Sequence, residues 1–260
     1  MKVGMEWKQE LISDGRIGRF VNSKTMSADK EQVSEYYDKL WDEYEQTKLS
    51  KPNSRHRTIF KNLKKAGLQP NSSVLEIGCG IGSLSGLIIN YLSNGFFTGA
   101  DISPQTIGFL KKKYSDRTKT DFVVTDMTDF SYNKKFDFII FPDVLEHIPV
   151  TTHPQIFGTL KNLVNENSVI LINNPDPLAL EWIQENRKDL LQIIDQPLHV
   201  DHFAKLAYEN GFYIEKVEPY ALHTQQFDYQ NIIIRPKRGL KSLDQKSKSD
   251  LIVANVKSRL

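Results

Sequence analysis

Residues 74–83, Val74-Leu75-Glu76-Ile77-Gly78-Cys79-Gly80-Ile81-Gly82-Ser83, constrain this 260-residue chain more than any other stretch. An apolar, β-branched run enters a turn with glycine at alternate positions, and the apolar pattern Leu84–Tyr91 continues it as a buried helix. Glycine adopts positive φ and lets the backbone approach a ligand closely. A strand, such a turn and a helix begin a βαβ unit, and open α/β sheets bind ligands at the carboxyl ends of their strands.

The rhythm persists beyond this unit. Strands are predicted at Ser73–Ile77, Phe96–Ala100, Phe122–Thr125, Phe136–Phe141 and Ser168–Ile172, with helices at Pro104–Tyr114 and Thr152–Val164 between them. That alternation reads as a parallel sheet. Asn174-Pro175-Asp176-Pro177 then ends the fifth strand, because proline removes ladder donors. Leu178–Pro197 is expected as a helical insertion, and Val200–Asn210 as a helix closed by Gly211. The connection between Phe212–Val217 and Tyr229–Ile234 is too short for a helical crossover, so these two strands pair antiparallel. Asp29–Tyr44 is helical in pattern, with Tyr36, Tyr37, Trp41 and Tyr44 along it, and reads as a packed helix or a lid. The expected organisation is a lid over 1–50, a catalytic domain over 51–236 with an insertion at 174–198, and a polar tail over 237–260. Leu251, Ile252 and Val256 give that tail only a thin apolar stripe.

A dinucleotide site is the main rival for the glycine turn. Its G-x-G-x-x-G pattern needs glycine at the sixth position, where this chain has Ser83 counting from Gly78 and Ser85 counting from Gly80. Glu76 is also expected to place an anion at the mouth of the loop, unfavourable for pyrophosphate and favourable for an ammonium or sulfonium. Asp101 ends the second strand, where a carboxylate can accept both hydroxyls of a ribose. Asp126 ends the third, where it can take an adenine amine while Met127 covers the ring. Each acid alone is ordinary at a strand end; the three signals in consecutive βα units are not.

At these residues the sequence resembles the class I S-adenosylmethionine methyltransferases, over about Arg55 to Arg235. The resemblance implies a Rossmann-like α/β fold: a seven-stranded, mostly parallel sheet of order 3-2-1-4-5-7-6, strand 7 antiparallel, with helices on both faces. It implies S-adenosylmethionine as cofactor, with Glu76, Gly78, Cys79, Gly80, Asp101, Ile102, Asp126, Met127 and Asp143 around it. Arg57 is a candidate for the methionine carboxylate, against the plainer reading of a solvated helix arginine.

Phe141-Pro142-Asp143-Val144-Leu145-Glu146-His147-Ile148 follows the fourth strand. It lacks the N/D-P-P-Y loop of amino-group methyltransferases and resembles the V-L-E-H stretch of small-molecule oxygen and carbon methyltransferases. One helical turn would bring Asp143, Glu146 and His147 to one face, a geometry open to a divalent metal. The favoured reading has no metal, with His147 as the base that takes the acceptor's proton and His199, in His199-Val200-Asp201-His202, as the second candidate.

The net charge of +2 with interspersed signs argues against a nucleic-acid partner, and no apolar run reaches the length of a membrane span. The first ten residues carry no signal-peptide core, and one cysteine, Cys79, allows no internal disulfide. A cytoplasmic methyltransferase acting on a small-molecule hydroxyl is the expectation. A carbon acceptor, a metal-dependent RNA 2′-O-methyltransferase and a non-catalytic S-adenosylmethionine-binding protein stay open as alternatives.

Overall fold

The computed structural model describes residues 30–43, 51–239 and 247. The expectations for the rest of the first 50 residues, and for the tail stripe at Leu251, Ile252 and Val256, lie outside the described residues. In chain order the elements are α1 (Lys30–Glu43), α2 (Ser54–Lys65), β1 (Ser73–Ile77), α3 (Ser83–Tyr91), β2 (Phe96–Asp101), α4 (Pro104–Lys113), β3 (Thr120–Val124) and β4 (Phe136–Pro142). A 3-10 turn, Leu145–His147, follows β4. The chain continues with α5 (His153–Leu163), β5 (Val164–Pro175), α6 (Pro177–Asn186), α7 (Val200–Glu209), β6 (Phe212–Tyr220) and β7 (Tyr229–Pro236).

The sheet has seven strands in the order β3-β2-β1-β4-β5-β7-β6. The β1–β2, β1–β4, β2–β3 and β4–β5 pairs are parallel, and β7 runs antiparallel to β5 and β6. Order and direction are those the resemblance implied. Alternation along each strand builds two apolar layers. Val74, Phe97, Phe138 and Ile140 pack under α2, α3 and α4 through Ile59, Leu63, Ile88 and Leu110. Leu75, Ile77, Ile139 and Ile172 pack on the other face under α5 and α7 through Ile156, Phe157, Leu160 and Phe203. Among the described residues no helix is long and apolar enough to cross a membrane.

Three features matter for the site, the first two of them departures from the sequence expectation. β5 runs through Asn174 and Pro175, which pair with Gln230 and Tyr229 of β7. The β4–β5 ladder has already ended at Pro142 and Asn173, so proline falls where the strand has lost its neighbour on that side. The insertion is helical only over α6. A 3-10 turn, Lys188–Leu190, and an irregular strap over 191–199 replace the helix expected up to Pro197. Lastly, α1 rests beside the carboxyl end of β2: the Ser34 hydroxyl donates to the Ile102 carbonyl at 3.3 Å, and the Ser103 hydroxyl bonds Asp38.

Candidate active site at the carboxyl end of the sheet

The turn after β1 is held by two backbone bonds, from the Gly78 and Cys79 N–H groups to the Ala100 carbonyl at 2.7 and 3.0 Å. Gly78, Gly80 and Gly82 all have positive φ, at 71°, 48° and 81°. A Cβ on Gly78 would sit 2.3 Å from a Val144 methyl, so the β1 turn and the segment after β4 touch there without room for a side chain. A Cβ on Gly80 would meet nothing within 4 Å. This turn combines backbone access with open space.

Asp101 stands against the turn. Its Oδ2 accepts from the Gly80 N–H at 2.8 Å, and its Oδ1 from the Ser103 N–H at 3.0 Å. A carboxylate offers about four acceptor positions, and the backbone fills only part of them. Burial raises the Asp101 pKa, against the pull of these N–H donors. Asp126 accepts from the Thr128 N–H at 3.0 Å and its hydroxyl at 2.7 Å through one oxygen, Oδ1. Ile102 follows Asp101 and bonds α1 through its carbonyl.

Glu76 corrects the expectation of an anion at the mouth of the loop. It shares the face of Val74, is 1% exposed, and accepts the Ser85 hydroxyl of α3 at 2.8 Å. Burial lifts its pKa to about 8, the Ser85 bond pulling it down and Asp101 pushing it up. Below that pH it is a neutral acid beneath the turn. Met127 is corrected too. Its backbone has φ of 67°, and its side chain, 1% exposed, packs in the core with Leu75 and Ile77. A side chain so enclosed offers no face to cover a ring. Cys79 is likewise buried, and its thiol pKa is raised by burial, so it does not supply a nucleophile.

Asp143, Glu146 and His147 do not share a face. The residues after β4 form a 3-10 turn rather than an α-helix, and Asp143 sits outside it with φ of 57°. Its carboxylate pairs with Arg55 of α2 and accepts from the Asn173 amide at 2.6 Å. The Tyr220 hydroxyl donates to Asn173 Oδ1 at 2.6 Å, and burial together with Asp143 raises the phenol pKa. Glu146 and His147 turn instead towards the strap. Among the described residues no three His, Cys, Asp or Glu side chains are grouped as a metal would need.

His147 lies between two acids. Its Nδ1 is 2.7 Å from the Ile194 carbonyl and 3.1 Å from Asp195 Oδ1, and its Nε2 is 3.7 Å from Glu146 Oε1. Burial alone would depress the ring's pKa, but Glu146, Asp195 and the carbonyl outweigh it and hold it at about 9. Nδ1 thus faces the strap and Nε2 its own turn, so the ring is engaged by neighbouring residues rather than standing free as the sequence reading expected of a base. His199 forms an exposed pair with Glu181 at 2.8 Å. His202 packs elsewhere, 2.7 Å from His153.

Arg55 is the residue the sequence reading missed. Arg57, the residue it chose, is on the exposed side of α2, whereas Arg55 shares the buried stripe of Ile59, Asn62 and Leu63. That i, i+4, i+8 stripe was the available signal. The partners of His147 on the strap carried no such signal, because Ile194 lies 47 residues away in sequence.

A methyltransferase-domain family profile matches residues 53–217. The chain is similar to malonyl-(acyl-carrier protein) O-methyltransferase 1 of Ilyobacter polytropus, 24% identical over 204 residues and covering 73% of each protein. It is also similar to trans-aconitate 2-methyltransferase of Escherichia coli, 26% identical over 130 residues, 50% of this chain and 48% of that one. Among solved structures it resembles magnesium protoporphyrin IX methyltransferase of Synechocystis PCC 6803 with bound S-adenosylhomocysteine. There the TM-score is 0.62 at 19% identity, over 81% of this chain and all of that one (100%).

Proposed function

Because the chain belongs to the methyltransferase-domain family, we propose that it transfers a methyl group from S-adenosylmethionine to a small-molecule hydroxyl. The observation that carries this reading is the positive-φ turn at Gly78–Gly82, open at Gly80, with Asp101 bonded to the Gly80 N–H. The fit to the cofactor is chemical. Gly80 leaves space where a side chain would stand, Asp101 keeps acceptor capacity for ribose hydroxyls, and Asp126 is placed one strand further for an adenine amine. Gly78 and Cys79 shape the turn, Ile102 continues the ribose side, and Glu76 supports the turn from below. Arg55, paired with Asp143, takes the place given to Arg57 on the methionine side.

When bound, S-adenosylmethionine supplies a methyl group on a positively charged sulfur. The protein's part is to orient the two reactants and exclude water. His147 is held by the strap and His199 pairs with Glu181 at the surface, so we favour an acceptor that ionises readily, a phenol or other acidic hydroxyl, over a sugar alcohol. Exposed Leu178 and Trp182, at 68% and 57%, lie on one face of α6, just beyond the carboxyl end of β5, and suit the apolar body of such a molecule.

The test is a thermal titration. S-adenosylmethionine should raise the midpoint in proportion to the logarithm of its excess, and NAD should not. Asp101→Ala should weaken binding by about 1.5–3 kcal/mol, the worth of hydrogen bonds to a charged group. Stabilisation by NAD alone would overturn the proposal. Phenols should then yield S-adenosylhomocysteine faster than sugars of similar size.

A further inference from the structure

The strap between α6 and α7 has little regular structure but many ties. The Gln196 N–H donates to the Glu146 carbonyl at 3.0 Å, and its side-chain amide to the Ile148 carbonyl at 2.7 Å. Asp195 accepts from the Gln192 N–H at 2.6 Å through Oδ2, and its carbonyl accepts from Gln184 of α6 at 2.7 Å. The His147 ring reaches Ile194 and Asp195 from the turn after β4. Next to these ties Ile194 packs with Val33 of α1, with Ile193 alongside. Ser34, next to Val33, bonds Ile102, and Asp38, one turn further along α1, bonds Ser103; these are the two residues that follow Asp101.

We propose that His147 is a positioning residue whose ring, held against Ile194 and Asp195, pins the strap Gln192–Gln196 to the turn after β4, and that the strap seats α1 beside Asp101. The placement of α1 beside Asp101 thus depends on a side chain from the turn after β4. The proposal rests on the methyltransferase reading only where it places the cofactor at Asp101.

Electrostatics give the pin its strength. The titratable groups facing the ring are Glu146 from its own turn and Asp195 from the strap, while β5, packed against that turn, ends in the uncharged Asn173, Asn174 and Pro175. A protonated ring between two buried carboxylates leaves one negative charge in excess. Removing its proton leaves both carboxylates beside a neutral ring with no cation between them, which a buried site tolerates poorly. The Gln192 side-chain nitrogen stands 3.3 Å from Nε2. A charged ring donates from both nitrogens, and a flip of the Gln192 amide would present its oxygen to Nε2.

The experiment is hydrogen exchange on the protein without ligand, with calorimetry of S-adenosylmethionine binding beside it. His147→Ala should lower protection in both 187–198 and 30–43 by about tenfold, the scale of a local opening, and weaken binding in parallel. His147→Asn keeps an N–H for the Ile194 carbonyl and should restore part of the protection. It should also lack the loss that the wild type shows as pH passes about 9. Ile194→Ala should release 30–43 while leaving the polar ties in place, which keeps the idea testable if His147→Ala does not fold. Unchanged protection of the strap in His147→Ala or His147→Asn, whatever happens to turnover, overturns the proposal and returns the ring to the reactants. If the wild type binds no S-adenosylmethionine, the methyltransferase reading fails, and the exchange data still judge the pin.

Discussion

Asp143 takes the guanidinium of Arg55 on one carboxylate oxygen and the amide of Asn173 on the other, at a backbone φ of 57°. A non-glycine residue in the left-handed region carries strain that its surroundings must offset. Two charge-assisted bonds and the Asp143 N–H bond to the Asn173 carbonyl at 2.7 Å do so. Tyr220 extends the chain of bonds to β6. The four side chains therefore stand or fall together. Arg55→Ala should cost about 3–5 kcal/mol in urea unfolding, because it strands a buried carboxylate. The double change Arg55→Met with Asp143→Asn removes both charges and should recover much of the loss. A single change costing under about 1 kcal/mol would mean that Asp143 finds another counter-charge or water.

At the scale of elements, the strands were legible because each is a short apolar run between turn residues, and both ends of Ser73–Ile77 match the sequence reading. The carboxyl end of β5 was not, since Pro175 argues against a strand until one knows that β4 has already stopped beside it. The turn after β4 misled in a more consequential way. An i, i+3, i+4 pattern brings three side chains together only on an α-helix, and Leu145–His147 is a 3-10 turn. Asp143 is drawn towards α2, whereas Glu146 and His147 are drawn towards the strap. Turnover should therefore be insensitive to EDTA and gain nothing from Mg²⁺, because a hard cation needs its oxygen ligands converging on one point. Loss of turnover in chelator with full rescue by Mg²⁺ would mean that the turn rewinds when substrate binds. Of the site, the glycines and Asp101 could be read locally, while Arg55 needed the buried stripe of α2 and His147 needed its distant partners.

Across the whole molecule, the buried titratable groups set where the fold is most stable. Glu76 is raised from 4.5 to about 8, and His147 from 6.5 to about 9. His56 is lowered by burial and Arg55 to about 3, and His153 by burial and His202 to about 4. Raised groups stabilise the fold below their unfolded pKa and lose that contribution as pH rises through the folded value. The lowered histidines stabilise it above 6.5 and lose that contribution as pH falls through 4 and then 3. Between 4.5 and 6.5 the unfolded chain carries protons on His56, His153 and His147, and the folded chain on Glu76 and His147. The unfolded chain is ahead by one, and stability rises with pH. From 6.5 to 8 only the folded chain holds protons, on Glu76 and His147, and stability falls twice as steeply. Each proton is worth about 1.4 kcal/mol per pH unit. Asp101, raised, and His202, lowered, act in opposite senses. The urea midpoint should therefore peak near pH 6.5 and decline on both sides. Glu76→Gln, which can still accept the Ser85 hydroxyl, should halve the alkaline slope and steepen the acid one. A midpoint that climbs without a break to about pH 9 would show that neither Glu76 nor His147 keeps its proton inside the fold.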